Sequence, residues 1–177
     1  MEIVIGSWGS YNACNERALG SQWLDLSDYD CWEEIEAELI DQGFELKGID
    51  EELFIQDYEN SWGFNGDNMH PKRLFEIFKE ADLEKKEETA LAFIEARGWC
   101  DFVDLVESKG SNWDDDIYFY KNMTPEEVAE EMVWSCYPDL DTRKLGWLGN
   151  YVTIDYEAIA DDEPYYAVEG GTIEIRD

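Results

Sequence analysis

The stretch 124–133 constrains the fold most, because it separates its charged residues from its apolar residues completely. Thr124, Pro125 and Glu127 form a helix start, with an N-cap, a proline at the first helical position and the glutamate of a capping box. At 100° per residue, the acids and the apolar residues fall on opposite arcs of this helix. The acidic arc holds Glu126, Glu127, Glu130 and Glu131, and the apolar arc holds Val128, Ala129, Met132 and Val133. The pattern predicts a helix with one face in a core and an anionic face in solvent.

This anionic face lowers the stability of the helix. Glu126 and Glu127 gain from the helix dipole, but Glu130 and Glu131 lie beyond the first turn. Each of these two acids follows a like charge four residues earlier. Such pairs cost about 0.2–0.5 kcal/mol each. A requirement for stability alone would have placed lysines at these positions, so another requirement has selected the acids.

The excess of acid extends over the whole chain. Its 177 residues include 44 acids and 13 bases, which gives a net charge of −31. A single compact globule of this length would be roughly 40 Å across, and that length of duplex DNA carries roughly 24 charges. The protein would therefore match or exceed DNA in linear charge density. Self-repulsion on this scale excludes ordinary nucleic-acid binding and favours an extended shape with several lobes.

Several other classes of protein are excluded or lack support. A hydrophobic content of 44% with 26 aromatic residues argues against disorder, and no apolar run approaches the roughly 20 residues of a membrane span. The four scattered cysteines indicate reduced, partly buried thiols in a cytoplasmic protein. No nucleotide-binding or nucleophile-elbow motif is present, and no cofactor is expected. His70, the single histidine, precedes a proline, and this context favours a structural or exposed role over catalysis.

The first part of the chain has the pattern of a small α/β unit. Residues 3–8 and 22–26 predict a strand and its hairpin partner, separated by a loop over residues 9–20. Ser27 and Asp30 suggest the cap of a helix that runs to about Gln42 and buries one stripe of side chains. That stripe consists of Trp32, Ile35 and Leu39. Residues 53–59 predict a third strand.

The character of the sequence changes after His70. Residues 72–98 have a helical pattern with two apolar segments, the first around Leu74 and the second around Ala90, Leu91, Phe93 and Ile94. Residues 112–116 predict an acidic turn that leads into a strand over 117–120. Residues 150–162 are strand-like and then helical, and residues 172–175 alternate as an edge strand would.

The charge is unevenly distributed along these parts. Residues 28–60 hold 13 acids and one base, residues 61–123 hold 14 acids and 8 bases, and residues 124–177 hold 14 acids and 3 bases. We therefore predict an α+β fold with a strongly acidic surface, arranged as an elongated chain of three small domains. These are an N-terminal α/β domain over residues 1–62 with an antiparallel sheet, a helical middle domain over 63–108, and a C-terminal α/β domain over 109–177.

Three explanations of the acidic faces compete. Solubility does not require a charge of −31 or helix faces without lysine, and adaptation to high salt would spread the acids evenly. The third is mimicry of nucleic acid, because four carboxylates over about 9 Å of helix axis approach the duplex spacing of one charge per about 1.7 Å. Catalysis by a carboxylate pair has little support, since two neighbouring acids among 44 carry little information. Calcium binding is a further alternative, although residues 114–116 and 161–163 lack the spacing of an EF-hand loop.

Four segments in the second half of the chain have a distinctive sequence, namely residues 116–120, 123–131, 150–151 and 154–160. These segments resemble the ArdA antirestriction family, and the resemblance extends in collinear order along nearly the whole chain. Upstream, residues 20–26 and 51–59 resemble the N-terminal signatures of that family. The chain departs from the family pattern at Asp161, Asp162 and Glu163, where the family has a basic residue followed by Asp and Leu, and it fits loosely over residues 136–149.

The resemblance implies a cytoplasmic, non-enzymatic protein of mobile genetic elements such as conjugative transposons, plasmids or phages. Members of the family imitate bent B-form DNA, occupy the DNA-binding site of type I restriction–modification enzymes, and block restriction and often modification. The family has three small domains in a homodimer joined through the C-terminal domain. An acidic module that binds another basic DNA-binding protein is the alternative function. The following acids are the predicted phosphate-mimicking surface: Glu33, Glu34, Glu38, Asp41, Asp114, Asp115, Asp116, Glu126, Glu127, Glu130, Glu131, Asp155, Glu157, Asp161 and Asp162.

Overall fold

The computed structural model describes residues 1–59, 64, 69–140 and 142–176. These residues form two compact units, Met1–Glu87 with Trp99–Trp113 and Glu88–Gly98 with Asp114–Asp177. Each unit contains helices and one three-stranded antiparallel sheet, so the predicted α+β class is confirmed. The division into three domains remains a prediction, because a compact set of contacts does not define a unit that folds independently.

The sheet of the first unit has β1 (Glu2–Ser7) at its centre, between β2 (Leu24–Asp25) and β3 (Leu53–Glu59). The pairing of β1 with β2 is that of the predicted hairpin, and both pairings are antiparallel, as predicted for this sheet. The inward side chains of β1 are buried, with Ile3 and Ile5 fully so. The bounds of β3 agree with the predicted strand over residues 53–59.

The prediction of a loop over residues 9–20 is partly wrong, because α1 (Trp8–Ala13) follows β1 directly. Its glycine, serine and asparagine have a loop-like composition, but tertiary contacts hold them in a helix. The Ser7 side chain caps α1 by accepting a hydrogen bond from the Ser10 N–H at 3.3 Å. A Cβ atom on Gly9 would lie 1.8 Å from the Ile49 carbonyl oxygen, so only glycine allows this approach.

The predicted start of the next helix at Ser27 is also wrong. Residues Leu26–Asp28 form a short 3₁₀ turn in which Asp25 accepts from the Ser27 N–H, and α2 (Trp32–Asp41) begins only after Cys31. Because Asp25 supplies the cap, Ser27 acts as a donor in this turn rather than as the N-cap of α2. The apolar stripe is confirmed, since its three predicted side chains are all buried.

The helical region contains α3 (Pro71–Glu80), α4 (Glu87–Arg97) and α5 (Trp99–Lys109). His70 caps α3, because its Nδ1 accepts a hydrogen bond from the Lys72 N–H at 3.2 Å, in agreement with a structural role. Gly98 follows α4 with a φ of 95°, as expected of a residue that ends a helix. Leu91, expected in the apolar stripe of α4, is exposed, and Ala92 is buried instead.

The sheet of the second unit has the order β4-β6-β5, with β4 at Ile117–Lys121, β5 at Tyr165–Val168 and β6 at Gly171–Ile175. The prediction that the last strand lies at an edge is therefore wrong. β6 pairs with β4 on one side and with β5, which was not predicted, on the other. Both faces of β6 are covered, and its polar residues Thr172 and Glu174 are buried with hydrogen-bond partners.

The second unit also contains α6 (Pro125–Cys136) and α7 (Tyr156–Asp162), which pack against each other, and nearly all of α4. Val128, Ala129 and Val133 are buried and Met132 is half-buried, which confirms the predicted apolar arc of α6. Between these helices, Thr142–Tyr151 is a 3₁₀ segment kinked at Gly146. The strand predicted near residue 150 is therefore wrong, while the helix that follows is confirmed.

Two further observations concern side chains and helix length. All four cysteines are free and exposed, so the prediction of partly buried thiols is wrong. In the part of the chain that the structure describes, no helix has both the length and the apolar character of a membrane span.

Candidate functional site: the acidic surface

The start of α6 is fixed by a complete capping box. The Thr124 hydroxyl accepts from the Glu127 N–H at 3.3 Å, and the Glu127 carboxylate accepts from the Thr124 N–H at 2.9 Å. This geometry places all four predicted glutamates on the exposed side of the helix. Hydrogen bonds with the Thr124 side chain and with its own backbone N–H lower the pKa of Glu126. The outer face of α6 therefore holds four carboxylates, one of which ionises at a lower pH than usual.

An open cleft of about 640 Å³ borders this face. It is lined by Asn122, Met123, Glu127, Glu130, Glu131 and Trp134. The Trp134 indole N–H donates to Glu130 at 3.4 Å, so the ring stands beside the carboxylates. The cleft can accept a side chain with a cationic head and an apolar stem.

The acids of α2 are held by uncharged donors. Glu34 accepts from the Asp30 N–H at 2.7 Å and Glu38 accepts from the Gln42 amide at 2.8 Å. Glu33, Glu34 and Asp41 are exposed and Glu38 is half-buried. Hydrogen bonds from its own backbone N–H and from Cys31 lower the pKa of Glu33, and the charge of Lys72 lowers it further. These donors orient the carboxylates without cancelling their charge.

The remaining predicted acids lie in the second unit. Asp115 and Asp116 are exposed and Asp114 is half-buried in the turn before β4. Asp155 caps α7 by accepting from the Ala158 N–H at 3.0 Å, so its carboxylate has a structural role as well. The other acids of α7 are exposed, namely Glu157, Asp161 and Asp162.

The structure thus groups the predicted acids by unit. Those of α6, α7 and the turn at 114–116 belong to the second unit, in which α6 and α7 pack side by side, whereas those of α2 belong to the first. No predicted acid on α2, α6 or α7 forms an ion pair with a lysine or arginine among the described residues. Arginine and lysine in the helical region do pair with acids, as Arg73 does with Glu76 and Glu107.

A comparison with protein families identifies the chain. The model of the family described as antirestriction protein (ArdA) matches residues 3–174. The chain belongs to the ArdA antirestriction family. A comparison with curated proteins gave no match. Membership of the ArdA family implies antirestriction as the general function of the protein. It also suggests that the protein interacts with restriction enzymes.

Two acids of this ArdA-family chain are buried and belong to the core. Glu174 on β6 accepts a hydrogen bond from the Tyr120 hydroxyl at 2.9 Å and pairs with Arg176. Burial, together with this hydrogen bond, raises the pKa of Tyr120 to about 12. Asp50 is fully buried and pairs with Arg17. In the described chain, no three His, Cys, Asp or Glu side chains come together in a group that could hold a metal ion.

Sequence reasoning missed two exposed apolar groups. The first is the exposed apolar segment, defined by the described residues 137–140, 142 and 144–152, and it includes Trp147 and Tyr151 at 72% and 78% exposure. Its full set of exposed apolar residues is Tyr137, Leu140, Leu145, Trp147, Leu148, Tyr151 and Val152. The second is the N-terminal aromatic cluster of Trp8, Tyr11 and Phe54. A local signal existed for the first, because residues 145–152 hold five apolar residues without a helical or alternating period.

Proposed function

We propose that this protein inhibits type I restriction–modification enzymes by mimicking B-form DNA and occupying their DNA-binding groove. Restriction is blocked, and modification is blocked with it because both activities require bound DNA. The observation that carries the proposal is the outer face of α6, where four exposed carboxylates stand on a capped helix without ion-pair partners among the described bases. The protein acts by occupancy and performs no catalysis.

The spacing of these carboxylates supports the proposal. Residues 126–131 span about 9 Å of helix axis, so the four charges are spaced at roughly 2 Å, close to the duplex value of about 1.7 Å. A groove that holds DNA through lysine and arginine attracts such a surface for the same electrostatic reason. The acids of α2, α7 and the turn at 114–116 extend the anionic surface within each unit.

The competing explanations account for less of the molecule. High-salt adaptation would place acids throughout, but the helical region carries ion pairs, such as Arg73 on α3 with Glu107 on α5 and Lys85 with Asp82 at 3.0 Å in the turn between α3 and α4. A calcium site requires a group of converging oxygen ligands, and in the described chain the acids line helix faces without forming such a group. A different basic DNA-binding protein is the second candidate partner, since it would present the same cationic groove.

We also propose that the protein is a homodimer that associates through the exposed apolar segment. Many exposed apolar side chains in one short segment are typical of interaction surfaces. Trp147 and Tyr151, whose rings lie 6.1 Å apart, are of the residue types enriched at interfaces. Residues 137–152 hold two acids and two bases, so this segment has no net charge in a chain of −31 and adds little repulsion between two copies. Burial of the segment against a second copy would remove its apolar surface from water.

Displacement of DNA from a purified type I enzyme tests the function. The protein should release a labelled DNA duplex from the enzyme at moderate salt, and the competition should weaken as salt rises. In cells, it should raise the plating efficiency of unmodified phage on a restricting host. If a DNA-binding protein unrelated to restriction loses its DNA to this protein equally well, the choice of a type I enzyme as the partner is wrong.

Analytical ultracentrifugation tests the dimer. We expect a dimer for the native chain and a monomer for the Trp147→Glu/Leu148→Glu variant, because two carboxylates would be buried at the interface. The matched control is Leu19→Glu/Trp23→Glu, which places the same two charges on exposed apolar residues outside the segment. A monomeric native chain, or a dimeric double variant, contradicts the proposal.

A further inference from the structure

The N-terminal aromatic cluster exposes large rings that already contact one another. Trp8 and Phe54 are stacked with ring centroids 4.2 Å apart at 21°, and Tyr11 stands edge-on to both at 6.0 and 6.4 Å. Even so, Trp8 is 47% exposed and Tyr11 is 53% exposed. Phe54 is half-buried beneath them. Isolated exposed aromatics are ordinary, but two exposed rings that pack on a third form a continuous aromatic surface, a feature typical of binding sites.

The backbone beneath this cluster is tightly fixed. The Trp8 N–H donates to the Glu52 carbonyl at 3.0 Å, which ties α1 to the start of β3. Ser7 caps α1, and Gly9 lies against the Ile49 carbonyl, where a larger residue would collide. The rings are therefore in position before any partner arrives, which lowers the entropic cost of binding.

A buried network below α1 strengthens this support. Asp50 accepts hydrogen bonds from the Ser10 hydroxyl, from the Glu45 N–H at 2.8 Å and from the Arg17 guanidinium at 3.0 Å. Burial alone would raise the pKa of Asp50, but these hydrogen bonds and the charge of Arg17 hold it below its usual value. Asp50 thus stays ionised and anchors both α1 and the loop that contains Arg17.

The surroundings of the cluster are anionic. Glu51 and Glu52 are exposed directly before β3, which carries Phe54. Residues 28–60 hold 13 acids and a single base, Lys47. A second copy that docked here through the same surface would place acids against Glu51 and Glu52, so at this surface charge complementarity favours a cationic partner.

Building on the proposed function, we propose that the N-terminal aromatic cluster receives arginine side chains from the DNA-binding groove of the restriction enzyme. Such grooves use arginine to contact phosphates and base edges. A guanidinium is planar and weakly hydrated, so it stacks on the face of tryptophan and still reaches a neighbouring carboxylate, whereas a lysine ammonium is strongly hydrated. The cluster therefore provides a surface on which arginine can stack, in addition to the carboxylates that mimic phosphate charge. Tryptophan, tyrosine and arginine also dominate the energetics of protein interfaces.

Binding of octa-arginine and octa-lysine, measured by calorimetry at equal salt, tests the stacking separately from the charge. The native protein should bind octa-arginine more tightly. Trp8→Ala and Tyr11→Ala should each weaken octa-arginine binding by about 2- to 30-fold, the range of one cation–π contact. Octa-lysine binding should change little, and Trp23→Ala, an exposed control 45% accessible, should retain the preference for arginine. If all variants prefer octa-arginine over octa-lysine to the same extent as the native protein, the proposal is overturned. It is also overturned if Trp8→Ala converts a native dimer into a monomer, because a second copy would then cover the cluster.

The same variants in DNA displacement from a type I enzyme connect the cluster to the function. Trp8→Ala should require about 2- to 30-fold more protein for displacement with an unchanged salt dependence, because no charge is lost. Full potency of Trp8→Ala and Tyr11→Ala overturns the proposal even if the native protein displaces DNA. Failure of the native protein to displace DNA overturns the proposed function, and the peptide result then stands alone. If circular dichroism shows that Trp8→Ala does not fold, the more exposed Tyr11→Ala decides both measurements.

Discussion

Helices α3 and α6 share one design and differ in their outer faces. Both begin with a proline at the first helical position behind a side-chain cap, His70 in α3 and Thr124 in α6. Both bury an apolar stripe, centred on Phe75 in α3 and on Val128 in α6. Burial and capping therefore satisfy the requirements of the fold in the same way in the two helices.

The outer faces of α3 and α6 differ in charge, which shows that the fold does not determine which charged residues occupy them. α3 mixes bases with acids, and its Arg73 pairs with Glu76 and with Glu107 on α5. α6 has glutamate at every exposed position of its first two turns and no base at all. Since exposed ion pairs contribute only about 0–1 kcal/mol, neither face decides whether its helix forms. Function rather than stability can therefore determine which residues occupy such a face. The glutamates on the outer face of α6 favour a cationic partner.

Neutralising the outer face of α6 should have the largest effect. The variant with Glu126, Glu127, Glu130 and Glu131 replaced by glutamine keeps the capping box, because glutamine also completes it. DNA displacement from a type I enzyme should weaken at least about tenfold. The slope of log affinity against log salt should fall by about 3 to 4, one for each lost contact.

The matched control removes the same total charge from the helical region. It carries Glu84→Gln, Glu87→Gln, Asp101→Asn and Asp104→Asn, all at exposed positions. This control should keep most of the potency if the position of the charges matters. If both variants lose the same amount of potency in DNA displacement, net charge alone determines the potency. The difference between the outer face of α6 and the helical region would then be irrelevant to function.

Giving α6 a mixed face like that of α3 should stabilise it and impair its function. Glu130→Lys with Glu131→Lys converts two repulsive pairs at a spacing of four residues into attractive ones, a gain of about 1–2 kcal/mol in total. The urea midpoint of unfolding should rise while DNA displacement falls. A lower urea midpoint for the lysine variant would show that Glu130 and Glu131 stabilise the native helix. It would contradict our argument that these glutamates destabilise it.

The two caps should differ in their response to pH, and this is the smallest effect. Burial and the charge of Lys72 lower the pKa of His70, partly opposed by Glu76. Unfolded histidine therefore binds its proton at a higher pH than His70 does in the folded protein. The contribution of His70 to stability is complete above its usual pKa of about 6.5 and is lost as the pH falls below it.

Urea unfolding at pH 7, 6 and 5 measures this difference. His70→Asn should reduce the loss of stability between pH 7 and 5, because asparagine caps helices and does not titrate. Thr124→Ala should cost about 1 kcal/mol with little change between pH 7 and 5. The threonine hydroxyl does not titrate, and its hydrogen bond lowers the pKa of Glu126, so that this carboxyl titrates below this range. An unchanged pH profile for His70→Asn would assign the dependence to other groups.

The sequence by itself determined what depends on neighbours within one or two turns. The capping box at Thr124, the buried and exposed arcs of α6, the strand at residues 53–59 and the end of α4 at Gly98 all follow from short-range periodicity and capping chemistry. The exposure of the predicted acids follows from the same periodicity, although Glu38 and Asp114 are half-buried. Their action as phosphate mimics remains a prediction.

The tertiary structure decided what depends on distant partners. α1 exists because Gly9 meets Ile49 and Ser10 meets Asp50, about forty residues away, and β6 is central because β5 and β4 both pair with it. The start of α2 depends on the turn capped by Asp25. The exposure of Trp8 likewise cannot be predicted from a periodic pattern, because it depends on which surfaces the rest of the chain leaves uncovered. Local hydrogen bonds and the periodic pattern of side chains depend on residues close in sequence, whereas burial and strand order result from the packing of the whole chain.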